Sequence, residues 1–166
     1  MTNNDILRRL RYTFDLNDAK MLEIFASTGK VAEPEQLKVW LKKEEDPELV
    51  ELEDVDLASF LNGFINEKRG KKDGAQPESE TKLTHNIIFM KLKIALSLQA
   101  EEVLAILALA DFRLSKHELS AFFRKPGHKH YRVCKDQILR NFLRGLQLKF
   151  RPSADDATAE PTQATD

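Results

Sequence analysis

The chain has 166 residues, of which 42% are hydrophobic and 32% charged, with a formal net charge of −1; this is the composition of an ordinary globular protein, long enough to bury a core in one or two small domains. No run approaches the roughly 18 apolar residues of a membrane span, the opening MTNNDILRRLRY is charged where a signal peptide needs an apolar stretch, and the single cysteine, Cys134, excludes an intramolecular disulfide. These features predict a cytoplasmic protein with no membrane partner.

In chain order, Ile6, Leu7, Leu10 and Phe14 recur at helical spacing, with Arg8, Arg9 and Arg11 on the other faces, which predicts an amphipathic helix over residues 4 to 14. Asn17 and Asp18 are capping residues for a second helix, through Met21, Leu22, Ile24 and Phe25, that stops at Gly29. Pro34 suits the first turn of a third, which is predicted to run to about Lys43 with Leu37, Trp40 and Leu41 inward. An acidic connection, EEDPELVELE, follows. Asp54 is expected to cap a fourth helix that carries Leu57, Phe60, Leu61 and Phe64 on one stripe and ends near Arg69 and Gly70.

Residues 70 to 83, GKKDGAQPESETKL, have no hydrophobic periodicity and are rich in turn formers and charge, so they read as a flexible linker. Beyond them the pattern starts again. An ungapped offset of 82 pairs Asn4 with Asn86, Ile6 with Ile88, Leu10 with Leu92, Leu22 with Leu104, Ile24 with Ile106, Leu37 with Leu119, Trp40 with Phe122, Phe60 with Phe142, Leu61 with Leu143 and Gly63 with Gly145. DVDLASFLNGF from Asp54 and DQILRNFLRGL from Asp136 are the clearest echo. Two copies of a long period indicate a tandem duplication rather than an open solenoid. The second copy then predicts helices at about 85 to 97, 100 to 110, 116 to 125 and 136 to 150, with Ser115 and Glu118 as a capping box for the third.

No alternating β pattern or hairpin signal is present, so the expected fold class is all-α, a tandem duplication of a roughly four-helix unit related by an approximate twofold or by a translation. The expected organisation is an acidic first repeat at 3–69, the linker at 70–83, a basic second repeat at 84–151 and a disordered tail at 152–166, which holds no large apolar residue. Glycine inside a helix costs about 1 kcal/mol relative to alanine. Its presence at equivalent points of both fourth helices, Gly63 and Gly145, means either close approach by another helix or, for Gly63, an early helix end; the helix-compatible continuation after both favours close approach.

Four segments carry a family likeness: NDILRRLRY near the start, FLNGFINEKRGK from Phe60, ELSAFFRKPGHKHYRVCKDQ from Glu118 and LRNFLRGL from Leu139. Through them the chain resembles the bacterial YehS-like family of unknown function, over roughly residues 3 to 151. The resemblance implies a duplicated all-helical fold in a small cytoplasmic bacterial protein; it implies no activity and gives no residue a catalytic role.

Catalytic and cofactor chemistry finds little support in the residues. His117, His128, His130, Cys134 and Asp136 are the only concentration of metal-ligand types, but structural zinc sites need four ligands, often paired cysteines, and Cys134 aligns with the apolar Leu52, which favours a small buried hydrophobe. No orienting residue or oxyanion hole accompanies a Cys–His pair, and no phosphate-cradling glycine motif is present. The reading is that of a protein without cofactor or metal and without a catalytic set. Charge is the sharper signal. Arg113 to Arg151 hold eleven Lys or Arg against two acids, a balance of +9, whereas Asp15 to Ser59 hold thirteen acids against five bases, a balance of −8.

Three explanations of that split stay open: the copies attract each other, the basic copy binds an anionic partner, or molecules associate head to tail as a homo-oligomer. Arg124, Lys125, His128, Lys129, Arg132, Lys135, Arg140 and Arg144 are the candidate partner-binding residues. The function expected is a non-enzymatic protein-interaction or adaptor module. The alternative is nucleic-acid binding by the basic second repeat, for which only Tyr131 looks free to stack on a base; a small-molecule-binding or enzymatic role is the third.

Overall fold

A computed structural model describes residues 1–153; the expected tail lies, from residue 154 onward, outside the described residues. Eight helices and no strand are found among the described residues: α1 (Asn3–Thr13), α2 (Asp18–Ala26), α3 (Pro34–Trp40), α4 (Asp54–Arg69), α5 (His85–Ala95), α6 (Ala100–Leu109), α7 (Lys116–Phe122) and α8 (Asp136–Phe150). The fold is all-α, and α1–α4 repeat as α5–α8.

Local signals explain most of the boundaries. Thr2 and Ser115 cap α1 and α7 with complete capping boxes, and Asn17 and Thr84 cap α2 and α5 by accepting backbone N–H groups. Helices α3 and α7 are shorter than the periodicity predicts, ending at Trp40 and Phe122 rather than near Lys43 and Lys125. The cause is a buried asparagine in each copy. Asn4 Nδ2 donates to the carbonyls of Trp40 and Val50, both at 2.9 Å, and its Oδ1 accepts from the Leu52 N–H at 2.9 Å. Asn86 repeats this with Phe122 (3.0 Å), Arg132 (2.8 Å) and Cys134 (2.9 Å). Each asparagine takes the last carbonyl of the third helix and pins the loop that follows, so the chain turns there.

Within each copy the second helix packs on the fourth, α2 on α4 and α6 on α8. A Cβ built on Gly63 would lie 2.1 Å from the Ile24 carbonyl oxygen, and one on Gly145 would lie 2.1 Å from that of Ile106. Both glycines are thus required by backbone-to-backbone approach, as their repetition implied.

Between copies the contacts are reciprocal: α4 packs on α5, and α8 on α1. Asp54 accepts the N–H of Leu83 at 2.8 Å, while Asp136 meets the amino group of Met1 at 3.0 Å, and Leu83 and Met1 are themselves 82 residues apart. Arg69 donates to the Ile94 carbonyl at 3.3 Å and Arg151 to the Tyr12 carbonyl at 2.7 Å, another equivalent pair. A translation would join the copies through one seam of unlike surfaces; two equivalent seams require an approximate twofold. The two sets of helices share one continuous hydrophobic cluster.

Asp54 does not cap its own helix. Glu53 occupies the N-cap position, and the Asp54 carboxylate instead accepts from Asn3 Nδ2 at 2.7 Å and from Leu83 N, bracing the seam. Of the expected core, Leu10, Ile24, Leu37, Trp40, Phe60 and Leu61 are buried with their counterparts, but Leu22 and Leu104 are only half-buried. Met21 and Val103 take the core positions, because the buried stripe of α2 runs Met21, Ile24, Phe25, the i, i+3, i+4 spacing of one face. Residues 70–83 form no helix, yet Gln76 accepts from Asn66 at 2.9 Å, Ser79 and Ser59 hydroxyls meet at 2.8 Å, and Glu80 pairs with Lys91 at 3.1 Å.

Candidate functional site

The segment that joins α7 to α8, residues 123–135, is built on the same frame as residues 41–53 of the first copy. The Arg132 N–H donates to the Ala121 carbonyl at 3.1 Å, just as the Val50 N–H donates to that of Val39 at 3.1 Å. With Asn86 holding the backbone of Arg132 and Cys134, the chain path of this loop is fixed against α5 and α7, and its charged side chains are exposed.

Two concavities flank the loop. One, of about 320 Å³, is a largely apolar groove between α5 and the loop, whose floor includes Ile87, Met90, Ile94, Phe123, Pro126 and Tyr131, with Arg124 on its rim. Lys93 lies 5.4 Å from the Phe123 ring centre and adds a second cation to that edge. The corresponding residues of the first copy are Asp5, Arg8, Tyr12, Leu41, Glu44 and Leu49. There Arg8 pairs with Asp5 and donates to the Lys42 carbonyl, whereas the charge in the second-copy lining, besides Arg124, is the Lys91–Glu80 pair at its α5 edge. The first copy has a concavity at the same place, of about 510 Å³, but Asp5, Arg8, Arg9 and Glu44 line it, so the apolar lining is what belongs to the second copy.

The other concavity, of about 200 Å³, opens on the far side of the loop, and its lining includes His117, Glu118, Arg124, Lys129, His130 and Arg132. Glu118 accepts the N–H of Ser115 at 2.9 Å, and the bonds to Ser115 hold its carboxyl below the usual range. The His130 N–H donates to Nδ1 of His128 at 3.0 Å, with the two rings 5.5 Å apart. Arg124, Lys129 and Arg132 form no ion pair among the described residues.

The eight candidate residues fall in more than one place. Arg124, Lys129 and Arg132 come together around the smaller pocket, with His128 beside it; Lys125 is exposed in the same turn, its carbonyl accepting from the His128 N–H at 2.9 Å. Lys135 is exposed at the N-cap of α8. Arg140 and Arg144 lie instead on the α1–α8 seam, where burial first, and their charges after it, lower the pKa of Arg9. Arg140 pairs with Asp136 at 2.6 Å, and Asp5 and Glu44 line the adjoining groove of about 510 Å³.

Cys134 is buried beneath the loop, its N–H taken by Asn86, and burial pushes its thiol up to about 12. A thiol so protonated is a poor nucleophile and ligand. Among the described residues no three His, Cys, Asp or Glu side chains come together as a metal-holding group. No helix is long and apolar enough to cross a membrane among the described residues.

Sequence periodicity alone missed Ile87, Met90 and Pro126, because Ile and Met on a helix read as core. Their signal lay in the comparison of copies: each replaces a charged residue, Asp5, Arg8 or Glu44.

A family model described as "Protein of unknown function (DUF1456)" matches residues 3–70 and again 85–151. The chain is 46% identical over 147 residues to the "Uncharacterized protein YehS" of Escherichia coli (strain K12), covering 88% of this chain and 94% of that protein. No solved structure matches it.

Proposed function

The chain belongs to the DUF1456 family, whose function is unknown, and carries its unit twice; from that premise we propose that it is a non-enzymatic protein-interaction module whose binding surface is the groove of the second copy. The observation that carries this reading is the divergence of the copies on a common frame: Asp5, Arg8 and Glu44 in the first, Ile87, Met90 and Pro126 in the second. Exposed charge on a helix is the ordinary state of a surface, and its replacement by Ile and Met is the signature of a place that something apolar covers. Arg124 and Lys93 on the rim, with Glu80 of the lining already paired to Lys91, favour a segment that is apolar along one side and acidic along the other. An amphipathic helix of another protein fits that description.

The reading is tested by Ile87→Asp, which puts back the residue type of the first copy. The variant is expected to keep its fold and to lose the cross-linked partner that the wild type captures in cells. Retention of that partner would overturn the proposal.

Nucleic-acid binding is the second reading, and one observation favours it: Arg9, Arg140 and Arg144 face one another across the α1–α8 seam. Against it stand Asp5, Glu44 and Asp136 around the same groove, which repel a phosphate backbone. Capture of nucleic acid that weakens steeply with salt and survives Ile87→Asp would favour it over the protein reading.

A further inference from the structure

The smaller pocket beside the groove is lined by residues of a different kind from those at the same positions of the first copy. On the same frame, His117, Arg124, Lys129, His130 and Arg132 stand where the first copy has Glu35, Lys42, Pro47, Glu48 and Val50. Both glutamates have become histidines, and a proline and a valine have become cations, while the backbone hydrogen bond beneath them is unchanged. A face that only needed solubility would gain nothing from three fixed cations and two imidazoles around one concavity, where their mutual repulsion opposes folding.

The lining carries a single carboxylate, Glu118, which accepts the Ser115 N–H at the cap and also feels the charge of Arg132. Three fixed positive charges against one negative leave a formal balance of +2, before any histidine is protonated. The pocket's roughly 200 Å³ accommodates a tetrahedral oxyanion with the atom that bears it. Arginine offers planar forked donors and lysine a point charge, the usual combination around phosphoryl oxygens.

We propose that this pocket binds a dianionic phosphoryl group, carried on the protein segment that occupies the neighbouring groove. Arg124 and Tyr131 line both concavities, so a segment lying in the groove presents its next side chain to the pocket. The module then reads two features at once, an apolar face and a phosphorylated residue beside it. The carrier rests on the groove reading; the anion site rests on the pocket's own lining.

The test uses the full chain and inorganic sulfate, a dianion at every pH used, followed by backbone amide NMR. Saturable shifts confined to residues 117–132 are expected, with affinity reduced at least tenfold in Arg124→Ala/Arg132→Ala. Both side chains are exposed, and an unchanged melting temperature verifies the fold.

Non-saturating shifts spread equally over Lys125, Lys135 and Arg140 would mean diffuse surface charge and would overturn the proposal, as would full affinity in the double variant.

Ile87→Asp separates the two readings. Sulfate binding that survives it shows the pocket to be independent of the groove. Partner capture without any sulfate binding sinks the anion site and leaves the interaction module standing. For the source of the phosphoryl group, phenyl phosphate is expected to bind more tightly than sulfate in the wild type and no more tightly in Ile87→Asp. A single-stranded oligonucleotide that outcompetes phenyl phosphate at the same residues would contradict a protein carrier.

Discussion

Asn86 accepts the backbone N–H of Cys134 at 2.9 Å, and through that bond a residue in the first turn of α5 fixes the loop that carries the candidate binding residues. With its two donated bonds to Phe122 and Arg132, one buried side chain ties α5, the end of α7 and the start of α8 together. Asn4 does the same work in the first copy, around a loop with a different surface.

Asn86→Ala would strand the buried N–H of Cys134 and two carbonyls. Each such group costs about 1–3 kcal/mol, and a total on the order of 3 kcal/mol is expected by urea denaturation. Sulfate affinity should fall with it, because the loop loses its tether. Asn4→Ala should cost a similar amount and leave sulfate affinity nearly unchanged relative to the folded fraction.

Gly145→Ala drives a methyl group into the Ile106 carbonyl, where a Cβ would sit 2.1 Å from the oxygen. The backbone of α6 must move away from α8. An overpacking cost of about 1–3 kcal/mol is expected, against the stabilisation that alanine ordinarily gives a helix interior. A thermal melt in which Gly145→Ala raises the midpoint would show that α6 and α8 do not approach so closely.

Asp136 has its carboxyl held below the ordinary value of 3.8, first by the hydrogen bond from Arg140 and, against the opposing effect of burial, by the amino group of Met1. A carboxyl with a lowered folded-state pKa stabilises the protein above its unfolded value. That contribution disappears as pH falls through the folded one. Stability should therefore decline below about pH 4, and Asp136→Asn should flatten this acid limb while lowering stability near neutrality. The effect is small, because the pair is partly exposed and screened. An acid limb of unchanged slope in Asp136→Asn would remove the seam contact from the account.

The duplication was legible because repeated types at an offset of 82 leave little room for coincidence, and the helix-packing role of Gly63 and Gly145 followed from their placement in helices that glycine disfavours. The buried roles of Asn4 and Asn86 were not legible: an asparagine in a first turn reads as a cap, and only tertiary structure shows it facing three carbonyl or amide groups of distant residues. The ends of α3 and α7 were missed for the same reason, since the carbonyls that Asn4 and Asn86 capture are not marked in the local sequence. Asp54 resembled a cap from its position; its bonds to Asn3 and Leu83 exist only because the copies meet about a twofold. The candidate site was legible in part. Charge found Arg124, Lys129 and Arg132, but charge also grouped them with Arg140 and Arg144, which the α8 helix carries to the α1 seam.

The central claim is that binding resides on the groove of the second copy and not on its first-copy equivalent, and Ile94 and Tyr12 allow a paired test. They are equivalent by the offset of 82, both partly exposed at 37% and 44%, and each lies on the outer face of its copy's first helix. A photo-cross-linking side chain placed at one or the other in the full chain, irradiated in cells, should yield a discrete protein adduct at position 94 that disappears on Ile87→Asp, and none at position 12. Equal adducts at both positions, or an adduct at position 12 alone, would contradict it.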